Sequence, residues 1–185
     1  TFAEISGFTT GFNATAYPGA IFMTETGSFH ADLRKEKSRD VINELASHEL
    51  AHEWWGTFLL NPAEKEGAML LTETLAMYTE LMMIKLKWGE KAMQDAVEMF
   101  QIFYERERWT IKGDALYKVQ PDNTALAYYK GAVVMYELYR LIGEENINKA
   151  LRNFLEAHRY PTAAPTSEDL IAAFLEVAPP SVAPG

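Results

Sequence analysis

The chain has 185 residues, 48% apolar and 23% charged, with a net charge of −9 and no cysteine. That length carries one domain with a core of its own, and the acidity, without any Lys/Arg cluster, argues against a nucleic-acid-binding surface. The missing thiols exclude disulfides and thiolate metal sites, which leaves His, Asp and Glu as the available metal ligands.

Residues 1 to 33 are rich in Phe, Thr and Gly and carry short apolar runs such as Ala20-Ile21-Phe22-Met23, the pattern of strands and turns. From about residue 38 the period becomes helical: Val41, Leu45, His48, His52 and Trp55 share one face, and Gly56 is a stop signal. Further helices are expected from about Ala68 to Lys87, Glu90 to Arg108, Asn123 or Thr124 to Leu141, Glu144 to His158 and Ser167 to Val177, with Ser167 as an N-cap. Residues 109 to 122 read as irregular. The fold class is therefore α+β, a small N-terminal β portion followed by a mainly helical bundle. Residues 1–178 form one domain in this reading, and the Pro-rich residues 179–185 a tail or linker. The start at Thr1 and that tail suggest a piece of a longer protein. No run reads as a signal peptide or a membrane span, and the lack of cysteine leaves the compartment open.

His48-Glu49-Leu50-Ala51-His52 carries the chemistry. Residues four apart stack on one helix face, so both imidazoles can reach a single metal ion. Glu49, offset by one residue, can take a proton from water without being a ligand. A chance pentapeptide is the competing reading. Against it, the motif holds two of only four histidines, and both lie on the apolar stripe, where an unliganded His would need buried partners. Zinc catalysis needs a third protein ligand, and Glu73 is the candidate, on the inward line Glu73, Met77, Glu80, Ile84 of the next helix. Glu80, two turns on, is placed to hold a ligand His by its free ring nitrogen; an ordinary helix-face glutamate is the other reading. The methionines at helical spacing read as core, Trp54 and Trp55 as support for the zinc helix, and Glu105-Arg106-Glu107-Arg108 as a solvated face.

The stretches His48-Glu49-Leu50-Ala51-His52-Glu53-Trp54-Trp55-Gly56 and Leu71-Thr72-Glu73-Thr74-Leu75-Ala76-Met77-Tyr78 resemble the M1 aminopeptidases among the gluzincins. The family's gap between the second His and the Glu is slightly shorter than residues 53 to 72 here, the extra length falling in the loop from Asn61 to Gly67. Tyr128-Tyr129-Lys130-Gly131-Ala132 resembles the family's Tyr-x-Lys-Gly-Ala helix start. The resemblance implies a thermolysin-like zinc peptidase catalytic domain that binds Zn2+ through His48, His52 and Glu73, uses Glu49 and Tyr128 as catalytic residues, and hydrolyses a peptide substrate. The narrower likeness is to M1-like domains fused to bacterial ABC-transporter permeases, on Phe2-Ala3-Glu4-Ile5, Gly27 to Leu33 and the Trp54-Trp55 pair. It implies a membrane permease portion in the same full-length protein and an extracytoplasmic, soluble domain. A zinc-binding, catalytically weak regulatory or binding module of such a transporter is the rival reading; Glu49 and Tyr128 favour the enzyme, because a structural zinc needs neither. The sequence departs from the family where the substrate's free amine is anchored: Ala16 stands in the place of the amine-binding Glu, with Glu25 nearby in sequence.

Overall fold

The computed structural model describes residues 1–5, 13–34, 40–56, 59–111 and 113–182. The strand-and-turn reading of residues 6–12, the helix start near residue 38 and the last three residues of the tail lie outside these. Among the described residues three strands form the N-terminal sheet: β1 (Phe2–Ile5), β2 (Ala14–Tyr17) and β3 (Ala20–Thr24). Their order is β1-β3-β2, with β1 parallel and β2 antiparallel to β3, and Ala16 opposite Ile21. Ile21 and Met23 point into the protein, as the two-residue period of a strand requires. β2 is an edge strand and packs against the first helix.

Among the described residues six α-helices follow: α1 (Val41–Ala51), α2 (Leu75–Trp88), α3 (Glu90–Glu107), α4 (Gly131–Ile142), α5 (Glu144–His158) and α6 (Ser167–Val177). α2 and α4 are each led in by a five-residue π-type turn, Leu70–Thr74 and Leu126–Lys130. Leu60, Leu71, Leu75, Ile147, Phe154 and Leu170 form one part of the core, while Met77, Leu81, Met93 and Phe100 form another. Burial of each such side chain contributes about 1.5–3 kcal/mol. Met77 and Met93 are core residues, as their spacing implied; Met83 is exposed.

Two expected boundaries are corrected. α1 ends at Ala51, short of Gly56, and His52 caps it in a still near-helical conformation. Gly56 then takes φ +97°, and its N–H donates to Leu60 O at 2.7 Å. A side chain at Gly56 would also meet Thr72 Cγ2 at 2.4 Å, so both conformation and space demand glycine. The N-cap of α6 is Thr166 instead of Ser167. A capping box needs an acid three residues on, and that places Asp169 opposite Thr166. The Asp169 carboxylate accepts from the Thr166 N–H and hydroxyl, both at 2.7 Å, while Ser167 Oγ donates to Tyr117 O.

Those bonds, the backbone one first, lower the Asp169 pKa. Its stabilising share is therefore present above the unfolded-state value of 3.8 and is lost as pH falls through the lower folded value. Thr166→Ala should cost about 1 kcal/mol in urea unfolding at neutral pH. An unchanged midpoint would mean that the cap does not stabilise α6.

Candidate metal centre

His48 and His52 reach the same point because α1 stays near-helical through its cap residue. His48 Nε2 lies 3.3 Å and His52 Nε2 3.4 Å from the same oxygen of Glu73. One ligand atom from each of the three lies within 4.8 Å of the others. Tetrahedral zinc with bonds of about 2.0–2.2 Å separates its ligand atoms by about 3.4 Å, so the donor set fits such an ion in identity and spacing. The outer ring nitrogens are also held. His52 Nδ1 is 3.0 Å from Trp55 O, and His48 Nδ1 is 3.5 Å from Glu80 Oε2. Acceptors at Nδ1 fix the proton there and leave both Nε2 atoms as donors toward a cation.

Glu73 sits in the π-type turn before α2, and Tyr128 in the one before α4. Such widened turns recur at functional sites because they re-aim a side chain that a regular helix would direct elsewhere. One hydrogen bond joins the two turns: Thr74 Oγ1 donates to Ala127 O at 2.6 Å. Gly131 lets them approach, since a side chain there would meet Thr74 Oγ1 at 2.4 Å. Glu73 and Tyr128, neighbours of these residues in sequence, are thereby brought together. The Tyr128 ring stacks on His48, with centroids 5.7 Å apart and planes 15° from parallel.

Glu49 is buried beside the His48, His52 and Glu73 group without belonging to it. Burial raises its pKa, His48 and His52 oppose that, the Glu73 charge adds to it, and a bond from the backbone of Ala16 again lowers it. The Tyr128 pKa is pushed well above its ordinary value by burial first and then by Glu73 and Glu49, so the phenol keeps its proton. The site thus holds three donor residues that could take a metal ion, a carboxylate with raised proton affinity and a neutral O–H donor.

All six expected residues converge: His48, Glu49, His52, Glu73, Glu80 and Tyr128. Trp55 lies buried, its indole N–H donating to Thr79 at 3.1 Å, which braces the turn after α1 against α2; Trp54 is 38% exposed. The backbone contributions of Trp55 O and Ala16 have no signature in residue type, so no sequence pattern could have revealed them. Ala14, Thr15 and Ala16 of β2 line a cavity of about 280 Å³ with Glu49, Glu73 and Tyr128. Glu25 is not among the residues that line this cavity and pairs with His30 at 3.2 Å. No helix among the described residues is long and apolar enough to cross a membrane.

The model of the peptidase family M1 domain matches residues 9–183. Aminopeptidase N of Haemonchus contortus is 28% identical over 162 residues, which cover 80% of this chain and 15% of that protein. Endoplasmic reticulum aminopeptidase 2 of Bos taurus is 25% identical over 137 residues, 66% of this chain and 13% of that protein. The chain thus spans less than a fifth of these curated relatives. Native yeast LTA4 hydrolase superposes with a TM-score of 0.71 at 17% identity, over 97% of this chain and 29% of that one. A mutant M1 zinc metallopeptidase from Deinococcus radiodurans gives 0.66 at 19% identity, over 95% and 35%. These superpositions establish the α+β architecture as that of the M1 peptidase domain.

Proposed function

Because the chain belongs to peptidase family M1, we propose that it is the catalytic domain of a zinc-dependent metallopeptidase that hydrolyses peptide bonds with a polarised water molecule. The observation that carries this reading is the convergence of His48, His52 and Glu73 around one point, with Glu49 and Tyr128 beside it. His48, His52 and Glu73 would hold zinc, and Glu80 and Trp55 O would orient the two imidazoles. A zinc ion there supplies Lewis acidity and lowers the pKa of water to about 7.

The protein's own residues do the rest. Glu49, buried and with raised proton affinity, accepts the proton from the attacking water and passes it to the leaving amine. Tyr128, held neutral, donates its O–H to the negative charge that builds on the carbonyl oxygen. Edge strand β2 borders the site and offers backbone groups to an extended peptide.

Selection for a free N-terminal amine is expected to be poor. A buried ammonium without a partner costs several kcal/mol, Ala16 offers it only a methyl group, and Glu25 is turned toward His30. The test compares one peptide with free and acetylated N-termini, using protein shown to contain zinc. Comparable cleavage of both is expected. A strong preference for the free amine would overturn the specificity, and no cleavage of any peptide by zinc-loaded protein would overturn the peptidase reading.

A further inference from the structure

A second cavity, of about 510 Å³, opens on the far side of Glu49 and Tyr128 and shares both residues with the first. Its size is that of a pocket for a substrate group. Leu45, Met77, Phe100 and Tyr129 supply an apolar wall. Tyr129 stacks on Phe100 at 6.2 Å and tilts against Phe103 at 5.3 Å, so the aromatic wall is braced from behind. The same cavity is lined by the carboxylates of Glu49, Glu80 and Glu107, and by no Lys or Arg among the described residues.

Glu49 and Glu80 are accounted for by the site itself. Glu107 is not. It is exposed at the C-terminal end of α3, seven residues or about 10 Å along the helix from buried Phe100. Its charge reaches the Tyr129 phenol, whose pKa is raised by burial first and by Glu107 second. Along its apolar, aromatic wall the cavity therefore runs from the buried carboxylates of Glu49 and Glu80 to the solvent-exposed one of Glu107. That gradient suits a side chain with an aliphatic stem and a cationic head, since the stem covers apolar surface while the head stays hydrated beside a carboxylate and an aromatic ring. An acidic side chain would meet like charge there, and a plain aliphatic one would leave Glu107 unused.

We propose that this second cavity is the subsite that receives a lysine or arginine side chain of the peptide substrate, with Glu107 as the residue that determines the preference. This assignment rests on the peptidase reading above.

The test measures binding, using zinc-loaded protein carrying Glu49→Gln so that peptides are not turned over. The probes are alanine tetrapeptides, N-acetylated and C-amidated, with lysine, norleucine or glutamate placed at each position in turn. At one position lysine is expected to bind about five-fold tighter than norleucine, in line with an exposed ion pair assisted by an aromatic face. Adding Glu107→Gln should abolish that difference and leave norleucine binding unchanged, and Glu107→Lys should turn the preference toward glutamate. Equal binding of lysine and norleucine at every position, a lysine preference that survives Glu107→Gln, or no peptide binding at all would overturn the proposal. So would a Glu107-dependent gain from an unacetylated N-terminus with none from the lysine side chain. Cleavage of these peptides by the unmutated, zinc-loaded protein without regard to lysine sinks the subsite alone, whereas cleavage of neither these peptides nor their unacetylated forms sinks the peptidase reading.

Discussion

Glu49→Gln is expected to lower kcat for peptide hydrolysis by about 10²–10⁴-fold while zinc stays at one ion per chain. The substitution keeps the volume of a side chain that is only 6% exposed, so no cavity opens. It removes the proposed proton acceptor and none of the proposed metal ligands, since the atoms placed to hold an ion belong to His48, His52 and Glu73. It also removes a negative charge close to Glu73, whose field raises the Glu49 pKa, so the fold should not suffer. Metal analysis together with single-turnover kinetics separates the two effects. Cleavage at the unmutated rate would overturn the role of base, and loss of zinc would make Glu49 a ligand instead.

His48→Ala is expected to weaken zinc binding by more than about 100-fold, and Glu80→Gln by about 10–100-fold. Outer partners of a ligand histidine alone cost the smaller range, so loss of a ligand must cost more. The two variants also differ in what they leave behind. Without His48, Glu80 is stranded with 6% of its surface exposed and Glu73 loses a contact at 3.3 Å. Glu80→Gln keeps both shapes and removes only the charge that holds His48 Nδ1.

The same contacts set a pH dependence. When the metal is removed, burial disfavours the His48 imidazolium, but hydrogen bonds and charges from Glu73 and Glu80 outweigh it and raise its pKa to about 10. His52 is raised in the same way, against burial and chiefly by Glu73. Zinc must therefore displace protons at neutral pH. Affinity is expected to climb as pH rises toward that value and to fall on acidification, with protons released into a weakly buffered solution on uptake. Chelator competition across neutral pH checks this. A flat profile, or equal zinc in the His48→Ala and unmutated proteins, would overturn the ligand assignment.

The helices are legible because amphipathic periods and caps are local. Glu144 to His158 and Ser167 to Val177 are found where the pattern puts them. The N-cap of α6 is misread by one residue because Thr166 and Ser167 are chemically equivalent caps, and only the reach of Asp169 separates them. α1 reads too long because Trp55 continues the apolar stripe. In the structure that tryptophan is buried after the chain has turned, through its bond to Thr79 and the bridge to Leu60.

Residue order alone brings the candidate metal ligands into view. Four-residue spacing on one helix makes His48 and His52 co-facial whatever surrounds them, and an acid on the inward line of the next helix has few other uses. The assembly of the rest of the site is a matter of packing. The widened turns that aim Glu73 and Tyr128, the Thr74–Ala127 bond that joins them, and the edge strand that lays Ala16 beside Glu49 all depend on backbone groups and close approaches between segments distant in sequence. Backbone N–H and C=O groups are the same at every position, so their roles are assigned by packing and leave no mark in the order of side chains.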